Sequence, residues 1–131
     1  MSADVGKYED LLTSTKALAH LATRMADGSP QVTPVWFDWH DGKVRVNTAR
    51  GRVKDKNMQE GNPVALSIVD PANAYRYVQI RGTVTRRTET GAEDHINVLA
   101  KKYTGDSYKF GRPGEVRVTY EITPTSVSGM G

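Results

Sequence analysis

The chain has 131 residues, a mass of 14.4 kDa and a formal net charge of +3, which is enough for one domain and too little for two separate cores. No apolar run approaches the roughly 20 residues needed to span a membrane, and no apolar signal segment follows Met1. Without a signal segment we expect a cytoplasmic protein. The absence of cysteine agrees with a reducing compartment and excludes disulfides, thiolate metal sites and a cysteine nucleophile.

The first part of the chain predicts one helix and three strands. Apolar residues at helical spacing within residues 1–14 predict an N-terminal helix. Turn signals at Asp27-Gly28 and Asp41-Gly42 join three strands into an antiparallel meander. Proline cannot donate a ladder hydrogen bond, so Pro34 should lie on an edge strand or at a bulge. The predicted strands are residues 16–25, 31–39 and 43–48.

The second part predicts three more strands and two helices. The helices are expected near residues 52–60, where Gly61 supplies the cap, and near residues 92–103. The predicted strands are residues 64–69, 75–87 and 115–122. Without alternation of strands and helices, these elements indicate a mainly β fold: a six-stranded antiparallel barrel over residues 16–124, flanked by short helices, in a single domain 1–131.

Basic side chains are concentrated between residues 43 and 56, where six of them accompany one acid, Asp55. Gly51 lets the backbone turn after a strand that ends at Asn47 and Thr48. The first amides of a helix that starts after such a turn carry partial positive charge and suit a phosphate. The pattern favours an anion-binding turn, with a solvated helix face as the alternative.

No catalytic constellation stands out. The chain offers no Ser-His-Asp order, and the three histidines, His20, His40 and His95, are too scattered in the predicted elements to indicate a metal site. Trp36 and Phe37 are neighbours on a predicted strand and face opposite sides, so they cannot both line one pocket. Core packing is the favoured interpretation of each, followed by a place in the pocket.

Taken together, these segments resemble the split-barrel flavin-binding family of pyridoxamine 5'-phosphate oxidase-like proteins. Within that family, the chain is most similar to the branch of deazaflavin (coenzyme F-420)-dependent oxidoreductases. The matching segments are 22–23, 27–37, 41–42, 46–48, 51–52 with Lys54, 57–58, 62–66, 75–77, 81–82 and 100–105. The phosphate signature of the oxidase proper, Ser-Arg-Lys, is replaced by Arg52-Val53-Lys54, and no counterpart of its pyridoxal phosphate-gripping C-terminal segment is found. We therefore do not expect vitamin B6 oxidase activity.

The resemblance implies a split β-barrel homodimer with two cofactor sites at the subunit interface. The ring system would lie along one strand, the phosphate at the basic turn, and an aromatic contact would come from the partner subunit. No catalytic residue is implied. The cofactor-binding residues carried over are Thr33, Pro34 and Val35 for the ring, Asn47 and Thr48 for the ribityl chain and phosphate, Arg52, Val53 and Lys54 for the phosphate, and Tyr75 for the aromatic contact.

The function implied by this resemblance is hydride transfer between reduced coenzyme F-420 and a small organic acceptor. The alternative within the same family is an FMN-binding split-barrel protein. A basic barrel that binds single-stranded nucleic acid is a third hypothesis, but the local concentration of charge argues against it, and no membrane partner is expected. Water could protonate the product, with Tyr75 or Tyr77 as candidate donors.

Overall fold

The computed structural model describes residues 3–131, which contain seven antiparallel strands and three α-helices. A single 3-10 turn, Gly6–Tyr8, precedes the first helix. The strands are β1 (Ala19–Arg24), β2 (Pro30–Val35), β3 (Asp38–His40), β4 (Lys43–Ala49), β5 (Pro63–Asp70), β6 (Asn73–Thr88) and β7 (Arg117–Met130), and the helices are α1 (Glu9–Thr13), α2 (Val53–Asn57) and α3 (Ala92–Thr104).

All seven strands belong to one sheet, in the order β2-β1-β5-β6-β7-β4-β3. Its two edge strands, β2 and β3, are separated in the chain by Trp36 and Phe37 alone, so the sheet must curl until its edges approach at this corner. The result is a barrel that is not closed by hydrogen bonds. The predicted mainly β split barrel with flanking helices is confirmed, with seven strands in place of six.

The prediction of one strand over residues 31–39 is wrong, because the chain breaks at Trp36 and Phe37. Contacts from α3 satisfy the Phe37 backbone: its N–H donates to the Tyr103 hydroxyl at 3.3 Å, and its carbonyl accepts from the Lys102 amine at 2.7 Å. Two hairpins, β1–β2 and β3–β4, therefore replace the predicted meander. Pro34 does lie on an edge strand, as predicted.

Several predicted boundaries also change. Within the predicted N-terminal helix 1–14, the 3-10 turn and α1 occupy Gly6–Thr13, and residues 1 and 2 lie outside the described residues. The helix predicted near 52–60 is limited to Val53–Asn57. The last strand does not end near residue 122 or 124 but runs to Met130, because its polar end stays paired with β6 as far as Tyr77.

The core lies inside the curved sheet and is closed at one end by α1. Alternating residues of the strands point inward, as the period of two requires. Among residues 3–131, no helix is long and apolar enough to cross a membrane. The fully buried core side chains include Leu11, Leu12, Leu21, Phe37, Val44, Met58, Leu66, Ile68, Ile80, Tyr120 and Ile122.

One buried carboxylate, Asp55, ties the basic turn and α2 to the barrel. Its Oδ2 accepts the Gly51 N–H at 2.8 Å, and Arg87 donates to both carboxylate oxygens, from Nε at 2.8 Å and from Nη2 at 3.1 Å. The Tyr120 hydroxyl also donates to Oδ1. Burial alone would raise the pKa of Asp55, but the hydrogen bonds from Tyr120, Gly51 and Arg87 outweigh it and lower that pKa.

We expect Asp55→Asn to lower the free energy of unfolding by about 2 to 4 kcal/mol, because the amide leaves the Arg87 charge without its partner. Urea unfolding at neutral pH measures this loss. Since the folded pKa is depressed, the carboxylate stabilises the fold above about pH 4 and this contribution disappears as the pH falls through the folded pKa. Asp106→Asn, which removes an exposed pair with Lys109, is the control and should change stability little. Equal losses in the two variants would contradict this account.

Candidate functional site

A cavity of about 320 Å³ lies where the ends of β2 and β4, the basic turn and α3 meet. It has a cationic end and an apolar end. Six of the nine predicted cofactor-binding residues line it, together with residues that the sequence interpretation did not include. The lining residues are Pro34, Val35, Trp36, Asn47, Thr48, Arg52, Lys54, Ile96, Leu99, Tyr108, Phe110 and Arg117.

The cationic end carries more positive charge than the protein neutralises. Arg52 is half exposed and approaches one acid, Glu115, with 3.5 Å between Nη2 and Oε2. Lys54 makes no salt bridge with any described residue, and burial, followed by repulsion from Arg52, lowers the pKa of its ammonium group. Two cations drawn together without a matching number of acids fit an anionic ligand.

Asn47 lines the cavity, but its side chain is already engaged by protein groups. Its amide nitrogen donates to the Ala92 carbonyl at 3.0 Å and lies 3.2 Å from His95 Nδ1, while its oxygen accepts from Arg117 Nε at 2.9 Å. Asn47 therefore holds α3 and Arg117 in place, and it has little capacity left for a ligand. Its predicted direct role in cofactor binding stays a prediction.

Thr48 is the better candidate for a polar contact from β4. Its hydroxyl is buried and lacks a hydrogen-bond partner among the described residues, and the side chain lines the cavity. Because a buried hydroxyl without a partner is costly, this geometry fits a ligand that brings a polar atom to it. The Thr33 hydroxyl is also buried and finds no hydrogen-bond partner within residues 3–131, although Thr33 does not line the cavity.

Besides Thr33, two predicted site residues lie outside the cavity. Val53 sits between Arg52 and Lys54 at the start of α2, but it is 45% exposed and does not contribute to the lining. Tyr75 lies near the start of β6 and is 79% exposed, so within one chain it does not belong to this site. Its predicted contact would have to come from the partner subunit.

The apolar end is formed largely by aromatic rings, of which the sequence interpretation considered only Trp36, as its second choice. Trp36 stacks on Tyr103, with 5.4 Å between the ring centroids, and its ring meets the edge of Tyr108 at 6.4 Å. Phe110 in turn packs edge-on against Tyr108, with centroids 5.7 Å apart. Core packing is confirmed for Phe37, which is fully buried, but it is wrong for Trp36, which lines the cavity. The sequence did carry a signal for this difference, because Trp36 and Phe37 are neighbours on a predicted strand and should face opposite sides.

Behind Asn47 lies a buried polar network centred on His95. His95 Nε2 is 3.2 Å from Asp38, and Nδ1 lies 3.0 Å from the Thr119 hydroxyl, so the ring bridges β3 and β7. Burial raises the pKa of Asp38, but hydrogen bonds from His95 and Arg45 outweigh it and lower the pKa to about 2. No group of three or more potential metal ligands occurs within residues 3–131. The other two histidines, His20 and His40, are exposed.

Arg117 is the main charged residue that the sequence interpretation missed. It is 6% exposed, donates to Asn47 and Glu115, and lies under the Tyr108 ring at 5.1 Å. Alternation in β7 places Arg117 on the outer face of the sheet, where an arginine is normally solvated. The packing of α3 against β4 and β7 turns this face into the floor of a cavity. Nothing in the local sequence around Arg117 predicts that packing.

Solved structures with the same fold include an F420 reductase, 29% identical over 96% of this chain and 98% of that one, with a TM-score of 0.79. A conserved hypothetical protein from Mycobacterium tuberculosis is 20% identical over 98% of this chain and 84% of its own, with a TM-score of 0.75. A FAD- and haem-binding protein from Mycobacterium smegmatis is 17% identical over 97% of this chain and 71% of its own, with a TM-score of 0.67. The last two likenesses show the fold alone.

No curated protein matches this chain significantly. Its sequence nevertheless matches the profile of the family described as pyridoxamine 5'-phosphate oxidase over residues 6–131. That match covers nearly the whole described barrel, including β2, β4, the basic turn and the cavity between them. The chain therefore belongs to the pyridoxamine 5'-phosphate oxidase-like split-barrel family, whose members bind flavin or deazaflavin cofactors.

Proposed function

We propose that this protein is a coenzyme F-420-dependent oxidoreductase that transfers a hydride between the reduced cofactor and a small organic acceptor. The observation that carries the proposal is the cavity itself, in which two cations with one acidic neighbour stand at one end and aromatic and aliphatic side chains at the other. The 29% identity to an F420 reductase over nearly the full length of both chains supports the deazaflavin branch.

In this proposal the chain's own residues bind and orient the cofactor. Arg52 and Lys54 pair with its phosphate through charge-assisted hydrogen bonds, and the unpaired Thr48 hydroxyl donates to an oxygen of its polar chain. Pro34 and Val35 line one side of the ring system. A deazaflavin supplies the hydride chemistry from its own ring, so the protein needs no acid, base or nucleophile of its own for that step.

The second candidate is an FMN-binding protein of the same family. The cationic end favours it as much as it favours the deazaflavin, because Arg52 and Lys54 would also attract the phosphate of FMN. The family membership supports either cofactor. What distinguishes the two candidates is the bound cofactor, which a direct titration identifies.

We also propose that the active form is a homodimer with the cofactor sites at the interface. The outer face of β1, β5 and β6 includes the small side chains Ala22, Ala65 and Ser67 on β1 and β5, with the larger His20 and Gln79 on the same face. Val32 of β2 beside it is 63% exposed. A groove of about 560 Å³ runs along this face between Arg24 and Arg81. Small side chains would let a second sheet approach closely, and the partner subunit would then supply the aromatic contact expected at Tyr75.

Titration of the purified protein with F-420 and with FMN, each followed by its fluorescence, tests the choice of cofactor. We expect F-420 fluorescence to change at micromolar cofactor, with weaker binding of FMN. Tight binding of FMN without any response to F-420 would replace the first proposal with the second. If neither cofactor binds, both are wrong.

Lys54→Ala should weaken F-420 binding about tenfold or more with the fold intact, because it removes one of two charges from the phosphate. The dissociation constant from the same titration measures the effect, and circular dichroism checks the fold. Lys56→Ala is a matched control, since Lys56 is exposed on the same helix and does not line the cavity. An unchanged dissociation constant for Lys54→Ala would show that the phosphate binds elsewhere.

For the dimer, we expect Val32→Glu to shift sedimentation toward the monomer, because it places a charge on the small-residue face of the sheet. Val98→Glu is the control on another surface, since Val98 is 53% exposed on α3. Analytical ultracentrifugation at several concentrations separates the two species. A wild-type protein that sediments only as a monomer would refute the proposed interface.

A further inference from the structure

One acid, Glu115, lies beside the cationic end of the cavity without lining it, and it contacts two of the lining arginines. Glu115 precedes β7, its side chain is 8% exposed, and its Oε1 accepts a hydrogen bond from Arg117 Nη1. Its other oxygen, Oε2, lies 3.5 Å from Arg52 Nη2. Glu115 therefore joins a buried arginine to the half-exposed arginine that we assign to the cofactor phosphate.

The charges around this carboxylate come from three parts of the fold. Arg117 lies on β7, Arg52 and Lys54 belong to the basic turn and α2, and His95 of α3 lies behind Asn47 without contacting Glu115. The hydrogen bond from Arg117 outweighs burial and lowers the pKa of Glu115, so the carboxylate is charged across the neutral range. A fixed negative charge thus sits beside the group that would hold a phosphate.

We propose that Glu115 tunes which phosphate ester the site prefers, by reducing the advantage that a doubly charged phosphomonoester would have over a singly charged phosphodiester. This inference rests on the proposed function, because F-420 carries its phosphate as a diester and FMN as a monoester. Each charge on the ligand is attracted by Arg52, Lys54 and Arg117, and Glu115 offsets one of these three cations. The second charge of a monoester therefore gains less net attraction beside this acid than it would without it.

The direct test is Glu115→Gln, assayed with FMN and F-420 by fluorescence titration. We expect the affinity for FMN to rise by about tenfold relative to that for F-420, because the amide does not repel the second charge. Glu89→Gln is the matched control, since Glu89 pairs with exposed Arg50 and with none of the cations that line the cavity, and it should leave the ratio unchanged. Equal changes for both ligands, or a relative loss for FMN, would overturn the inference.

A measurement on the wild-type protein covers the case in which Glu115→Gln does not fold. The phosphomonoester of FMN loses its second charge between about pH 7.5 and about pH 5.5, whereas the diester of F-420 does not. With Glu115 in place, the ratio of the two affinities should change by less than about threefold over this range. A relative loss of FMN affinity of about tenfold or more at the lower pH would refute the role of Glu115. If the wild type binds neither ligand, the proposed function itself has failed.

Discussion

The buried Asp55 carboxylate is the interaction on which the geometry of the cationic end depends. It sits inside the very segment that carries the basic side chains, and it connects Gly51 in the turn with Arg87 on β6 and Tyr120 on β7. Because the Gly51 amide donates to this carboxylate, that amide is not available to a phosphate. The side chains of Arg52 and Lys54 must therefore supply most of the attraction, on a turn that the barrel holds rigid.

Much of the architecture could be predicted from local chemistry. Asp-Gly turns mark both N-terminal hairpins, Pro34 marks an edge strand, and alternation identifies the long strand that becomes β6. What could not be predicted depends on contacts between distant parts of the chain. The break at Trp36 and Phe37 requires Tyr103 and Lys102 of α3, and the polar end of β7 is a strand only because β6 extends beside it.

The candidate site could likewise be predicted from the sequence only in part. Pro34, Val35, Thr48, Arg52 and Lys54 do converge on one cavity, since the ends of β2 and β4 and the basic turn are brought together by the curl of the sheet. Asn47 was assigned to the ligand but is occupied by α3 and Arg117. A spacing argument identifies which residues are near one another, whereas hydrogen-bond capacity decides which of them remain free.

The anchoring of α3 at the Phe37 corner has a consequence for how the barrel can open. Lys102 and Tyr103 hold the backbone where the two edge strands meet, and Tyr103 also donates to the Ala17 carbonyl before β1. The two edges cannot separate there unless the end of α3 also detaches. Spreading of the seam and release of this helix are thus one cooperative event, and local fraying of β3 does not by itself uncover the aromatic end of the cavity.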